Sequence, residues 1–103
     1  MQWNDKKMDA LCEAFLCLRS PEEVRRFLRD LMTEEEIVEC ALRFQAAQLL
    51  DAGQSYESIQ KTTKLSSTTV ARISRWLRKG MEGYRLVIDR LQHTSPSREK
   101  RLV

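Results

Sequence analysis

Residues 56–77, YESIQKTTKLSSTTVARISRWL, constrain this chain more than any other stretch. Ile59 suits the inner face of a first short helix, and Leu65 is placed to plug a turn. Val70, Ile73 and Leu77 then recur at i, i+3 and i+7, the inner stripe of a second helix. Ser55 is a natural N-cap for the first helix and Ser66 or Ser67 for the second, because a hydroxyl oxygen accepts from the amides that a helix start leaves unpaired. This spacing predicts a helix-turn-helix over residues 55–78. Two residues depart from the commonest form of that motif. Gln60 stands where many such units have alanine, and Lys64 stands where glycine usually makes the turn. A lysine can take the left-handed turn conformation at a cost of about 1–2 kcal/mol.

The outer side of the second helix is dressed for double-stranded DNA. Ser66, Ser67, Thr68, Thr69, Arg72 and Arg75 are hydroxyls and guanidinium forks of the kind that reach phosphates and base edges. Gln54, Lys61 and Lys64 are candidates for the backbone. The net charge of +3 conceals a segregation along the chain. Residues 1–53 carry 7 Lys or Arg against 11 Asp or Glu, whereas residues 54–80 carry 6 against 1. Residues 81–103 carry 5 against 3. A basic block beside an acidic one is the pattern expected when one face of a protein meets phosphate and another does not.

The remaining chain is predicted to be helical throughout, giving an all-α protein of about six helices. Met8, Leu11, Cys12, Phe15 and Leu16 form an amphipathic stripe over residues 4–18. Ser20-Pro21-Glu22-Glu23 restarts the chain with an N-cap, a proline at the first helical position and a capping-box glutamate. Val24, Phe27, Leu28 and Leu31 then face inward, with Arg25, Arg26 and Arg29 outward. Thr33 and Glu36 make a second capping box ahead of the longest helix, which should stop at Gly53. Between residues 37 and 50 only Glu39 and Arg43 are charged, so this third helix is apolar nearly all round. Such a helix has to be covered on most sides. Sharing it between two subunits achieves this, which predicts a homodimer; the alternative is the central helix of a monomeric bundle. After a glycine stop at Gly80, a last helix over residues 81–92 places Tyr84, Val87, Ile88 and Leu91 on one stripe. Residues 1–92 are thus expected to form a single helical domain, and residues 93–103 a disordered basic tail.

Other classes find little support. No apolar run approaches the roughly 20 residues of a membrane span, and no signal-peptide pattern is present, so the expected location is cytoplasmic and no membrane partner is expected. Cys12, Cys17 and Cys40 lie among apolar neighbours without paired metal-ligand spacing, which makes them reduced core residues. His93 reads as a solvated residue at the edge of the tail. The run Glu34, Glu35 and Glu36 sits where a helix dipole favours carboxylates. No nucleophile–base pair, phosphate loop or metal cluster can be assembled, so neither an enzyme nor a cofactor is expected.

With an apolar third helix and a helix-turn-helix at this position, the sequence resembles the Trp repressor superfamily, and within it the YerC/YecD-type TrpR-related proteins. The resemblance covers residues 8–91. It rests most on Leu31-Met32-Thr33-Glu34, on Arg43 ten residues past Thr33, and on Thr69-Val70-Ala71-Arg72. It implies a six-helix Trp-repressor-like fold, an intertwined homodimer, and a helix-turn-helix that enters a major groove. It also implies a ligand pocket in the tryptophan-sensing branch, onto which Thr33, Arg43 and Arg72 fall. Ile73 and Trp76 occupy positions where that branch has glycine and serine, so a pocket for free tryptophan is expected to be closed or altered. The leading expectation is therefore a sequence-specific, homodimeric transcriptional regulator whose small-molecule effector, if it has one, is unknown. A tryptophan-responsive repressor and a helical dimerisation adaptor are the alternatives.

Overall fold

The computed structural model describes residues 1–93; of the tail expected over residues 93–103, His93 is instead the last residue of a helix, and the rest lies outside the described residues. Six helices follow in order: α1 Lys6–Leu16, α2 Pro21–Leu31, α3 Glu34–Asp51, α4 Tyr56–Thr63, α5 Ser67–Lys79 and α6 Gly83–His93. No strand occurs among the described residues. The chain divides into two compact units, Met1–Val38 and the part from Glu39 onward.

In the first unit the helix starts are fixed by side chains. Asp5 accepts from the Lys7 amide at 2.9 Å to cap α1, and Ser20 accepts from the Glu23 amide at 3.2 Å to cap α2. Glu23 does not complete the expected reciprocal box. Its carboxylate accepts instead from the Arg19 amide, one residue before the cap, at 2.8 Å. The box at α3 is complete: Glu36 donates its amide to Thr33 Oγ1 at 3.1 Å, and Thr33 donates its amide to Glu36 Oε1 at 2.9 Å. Phe15 meets Phe27 edge to face with ring centroids 5.4 Å apart. Yet none of residues 1–38 is buried, and Leu16 is 85 % exposed.

The second unit has a closed core. Ala46 and Ala47 of α3, Ile59 of α4, Leu65 of the turn, Val70 and Ile73 of α5 and Ile88 of α6 are all buried in it. The two alanines are the only buried residues of α3. Leu42, Phe44, Leu49, Leu50, Leu77 and Tyr84 pack around this centre, Phe44 stacking on Tyr84 at 6.5 Å. That burial pushes the Tyr84 phenol up from its ordinary pKa. α3 stops as expected. Gly53, at φ 87°, donates its amide to Leu50 O, and the Gln54 amide reaches Leu49 O, both at 3.0 Å. These are the two bonds of a Schellman cap. Arg85 ties the start of α6 to the end of α3, holding Asp51 at 2.8 Å and Asp89 at 2.9 Å. The bond from Arg85 holds the Asp51 carboxyl below its ordinary range.

Three further sequence expectations are corrected. Cys12, Cys17 and Cys40 are free but exposed rather than core residues, because the apolar faces carrying them find no cover within the described chain. Val87, expected to point inward, is 45 % exposed while Ile88 takes the buried position. Gly80 ends α5, but at φ −83° it is not a left-handed stop. Glycine is required there for a different reason: a Cβ would lie 2.5 Å from the carbonyl oxygen of Trp76.

Candidate nucleic-acid interface

The turn between α4 and α5 is built by three consecutive devices. Lys64 takes the left-handed conformation at φ 63°, ψ 13°, and its amide closes α4 on Gln60 O at 2.8 Å. Thr63, fully buried, donates its hydroxyl to Ile59 O at 2.7 Å and accepts from the Leu65 amide at 3.2 Å. Leu65 then fills the space beneath. Finally Ser66 caps α5, accepting from the Thr69 amide at 3.1 Å and bonding Thr69 Oγ1 at 3.0 Å. The sequence identified Leu65, the cap and the lysine turn. It missed Thr63, whose threonine is indistinguishable by pattern from its solvated neighbour Thr62.

α5 packs against both α4 and α6, so its inner stripe of Val70, Ile73 and Leu77 is committed to the core. Its other side is open. Ser67, Thr68, Arg72 and Arg75 are exposed, and neither arginine makes an ion pair among the described residues. Lys64, Arg78 and Lys79 are likewise exposed and without an ion-pair partner there. Lys61 reaches Glu57 at 3.6 Å with both side chains about 80 % exposed, a pair too solvated to hold it in place. Gln54 accepts from the Ser58 hydroxyl at 3.0 Å at the start of α4. Ser66 and Thr69 have their hydroxyls engaged in the cap, so of the six candidates on α5 only Ser67, Thr68, Arg72 and Arg75 are unencumbered.

The residues that the resemblance associated with a ligand pocket have local roles. Thr33 serves the α3 capping box. Arg43 bonds Glu39 at 3.0 Å, one turn away on α3. Ile73 is fully buried in the core, whereas Trp76 is 42 % exposed. Among the described residues no group of His, Cys, Asp and Glu is arranged to hold a metal ion, and no helix is long and apolar enough to cross a membrane.

The family model for the Trp repressor protein matches residues 6–92, which takes in all six helices apart from the last residue of α6. The chain belongs to the Trp repressor family. Within the family it is of the YerC type: it is 36 % identical over 89 residues to the uncharacterised YerC protein of Bacillus subtilis, covering 86 % of each chain. Two crystal structures of Trp repressor-like proteins share the fold. A TrpR-like protein from Eubacterium eligens superposes with a TM-score of 0.84 at 31 % identity, over 87 % of this chain and 93 % of that one. A candidate Trp repressor from Staphylococcus aureus gives 0.83 at 32 % identity, over 89 % and 95 %. The six-helix, all-α, Trp-repressor-like architecture is thus the architecture of this family member.

Proposed function

We propose that this Trp repressor family member is a sequence-specific, DNA-binding transcriptional regulator, not an enzyme, acting in the cytoplasm as a homodimer. The observation that carries the reading is the two-sidedness of α5. One stripe is locked into a core, and the opposite face presents Ser67, Thr68, Arg72 and Arg75 to solvent with no competing carboxylate. A rigid helix with free hydroxyls and guanidinium groups is what major-groove docking requires. Gln54, Lys61 and Lys64 would contact the flanking backbone, while the amide-rich start of α5, capped by Ser66, approaches phosphate. Dimerisation is supported by the apolar side chains that one chain leaves in water: Phe15, Leu16, Leu31 and Val38 are all more than 40 % exposed. In such a dimer residues 1–92 would act as one helical domain around the helix-turn-helix of residues 55–78.

Free tryptophan is not the effector in this proposal. Supporting it, Ile73 fills its position as a fully buried core residue, and Arg43 is engaged by Glu39. The test is a titration of duplex DNA with the wild type and with Arg72→Ala. The substitution is expected to cost about 1–3 kcal/mol on the preferred site and to relax sequence preference. Equal weakening on random DNA would move Arg72 to a phosphate. Millimolar L-tryptophan is expected to leave the wild-type affinity unchanged, and a tightening would contradict that part.

A further inference from the structure

Asp51 and Arg85 each carry the charge that their own helix end disfavours. A helix C-terminus bears a partial negative charge and an N-terminus a partial positive one. Asp51 is nevertheless the last residue of α3, whose final turn holds no basic residue, and Arg85 lies in the first turn of α6, which holds no acidic one. Local preference favours neither residue where it stands. Side chains that break a local rule are compensated from outside their own element.

Here the compensation is mutual. Arg85 Nη1 stands 2.8 Å from Asp51 Oδ1. Asp89, one turn further along α6, faces the same guanidinium, at 2.9 Å from its Nη2 and 3.1 Å from its Nε. The guanidinium is thus braced on its own helix while it reaches across to α3. Gln92 of α6 donates a second link to Asp51 at 3.4 Å. By contrast, the pairs Arg43–Glu39 and Lys61–Glu57 each join residues of one helix. The side chains of Arg85 and Asp51 are 37 % and 21 % exposed, against 78 % and 82 % for Lys61 and Glu57, so the bridge between helices is the less screened.

Between the two residues lies the whole helix-turn-helix. The chain leaves α3 after Asp51, passes through α4 and α5, and returns to α6 just before Arg85. Gly53 and Glu82, at φ 87° and 65°, place a left-handed turn at each end of this excursion. The helices packed most closely on α5 are α4 and α6, not α3. The direction of α5 relative to α3 is therefore passed on through those two neighbours, and Arg85 fixes the α6 side.

We propose that the Asp51–Arg85 bridge is a clamp that positions the reading helix, closing the base of the excursion that carries α4 and α5. Both are positioning residues, acting on DNA affinity through the direction of α5 and not through their own charges. The inference rests on the DNA-binding reading and extends it to how α5 is held. In the proposed dimer α3 is the shared helix, so the two clamps set the separation of the two copies of α5, on which a fixed half-site spacing depends.

The test is a double-variant cycle with Asp51→Asn, Arg85→Gln and the two combined, each measured well below its thermal midpoint. Charge alone predicts opposite signs on a polyanion: Asp51→Asn tightens duplex binding, Arg85→Gln weakens it, and the combined variant shows the product of the two factors. The clamp predicts that Asp51→Asn also weakens binding of a preferred duplex. Each variant is expected to do so by about 3- to 10-fold, the combined variant no more than either alone. A random duplex is expected to lose less, because base contacts depend on the direction of α5 more than phosphate contacts do. Tighter binding by Asp51→Asn with multiplicative factors, or wild-type affinity in all three variants, overturns the clamp and leaves the DNA reading standing. Amide hydrogen exchange without DNA tests the clamp independently. Amides of α5 are expected to exchange faster in both single variants than in wild type, while those in the middle of α3 keep their rates; wild-type rates in α5 overturn the clamp. No duplex binding by the wild type at low salt overturns the DNA reading, and the exchange rates then decide the clamp by themselves.

Discussion

The two units of this chain contain similar kinds of residue and solve different problems. From Glu39 onward, apolar side chains of four helices and a turn converge until seven of them are buried. Within Met1–Val38 the stripes are as regular, yet no residue is buried, and Leu11, Phe15, Leu16 and Leu31 all remain exposed. The difference lies in length and connection rather than hydrophobicity. Two 11-residue helices cannot enclose an apolar interior on their own, since short chains expose too much of their surface. The helix-turn-helix unit can, because Thr63, Leu65 and Ser66 turn α5 back onto α4 within three residues. One unit therefore closes its own core, and the other leaves apolar surface uncovered, which in the proposed function is where a second copy docks.

The sharpest way to break this comparison is to place a charge on the unfinished surface. Leu16→Glu is expected to dissociate the proposed dimer at micromolar concentration, halving the sedimenting mass to that of the 12.1 kDa chain while the helix-turn-helix stays folded. Unchanged mass would mean that the first unit is not an assembly surface. Next in size, Ile73→Ala in the finished core is expected to lower stability by about 2–5 kcal/mol in urea denaturation, without altering assembly of the folded protein. A loss below about 1 kcal/mol would show that the core tolerates a cavity at its centre and is less tightly closed than its burial indicates. Smallest is Lys64→Gly. Relief of the left-handed lysine, set against the greater freedom of glycine in the unfolded chain, is expected to raise stability by up to about 1 kcal/mol. The same change should lower the DNA salt slope by about 1 if Lys64 meets phosphate.

What the sequence disclosed follows the same division. The α4–α5 turn, the Thr33–Glu36 box and the Gly53 cap were all legible, because each is made by groups within a few residues of one another. So was the inner stripe of α5. The cysteines and Val87 were not placed correctly, since apolar spacing says that a residue belongs against other apolar atoms without saying whether its own chain provides them.

The central claim is that two copies of the helix-turn-helix, held by the surfaces that one chain leaves uncovered, read a two-fold DNA site. Selection of bound sequences from a pool of random duplexes tests it most directly. The account predicts a palindromic consensus whose half-site centres lie about one helical turn apart, roughly 34–36 Å as in helix-turn-helix dimers generally. A single unrepeated half-site, or no enrichment over the starting pool, would contradict it.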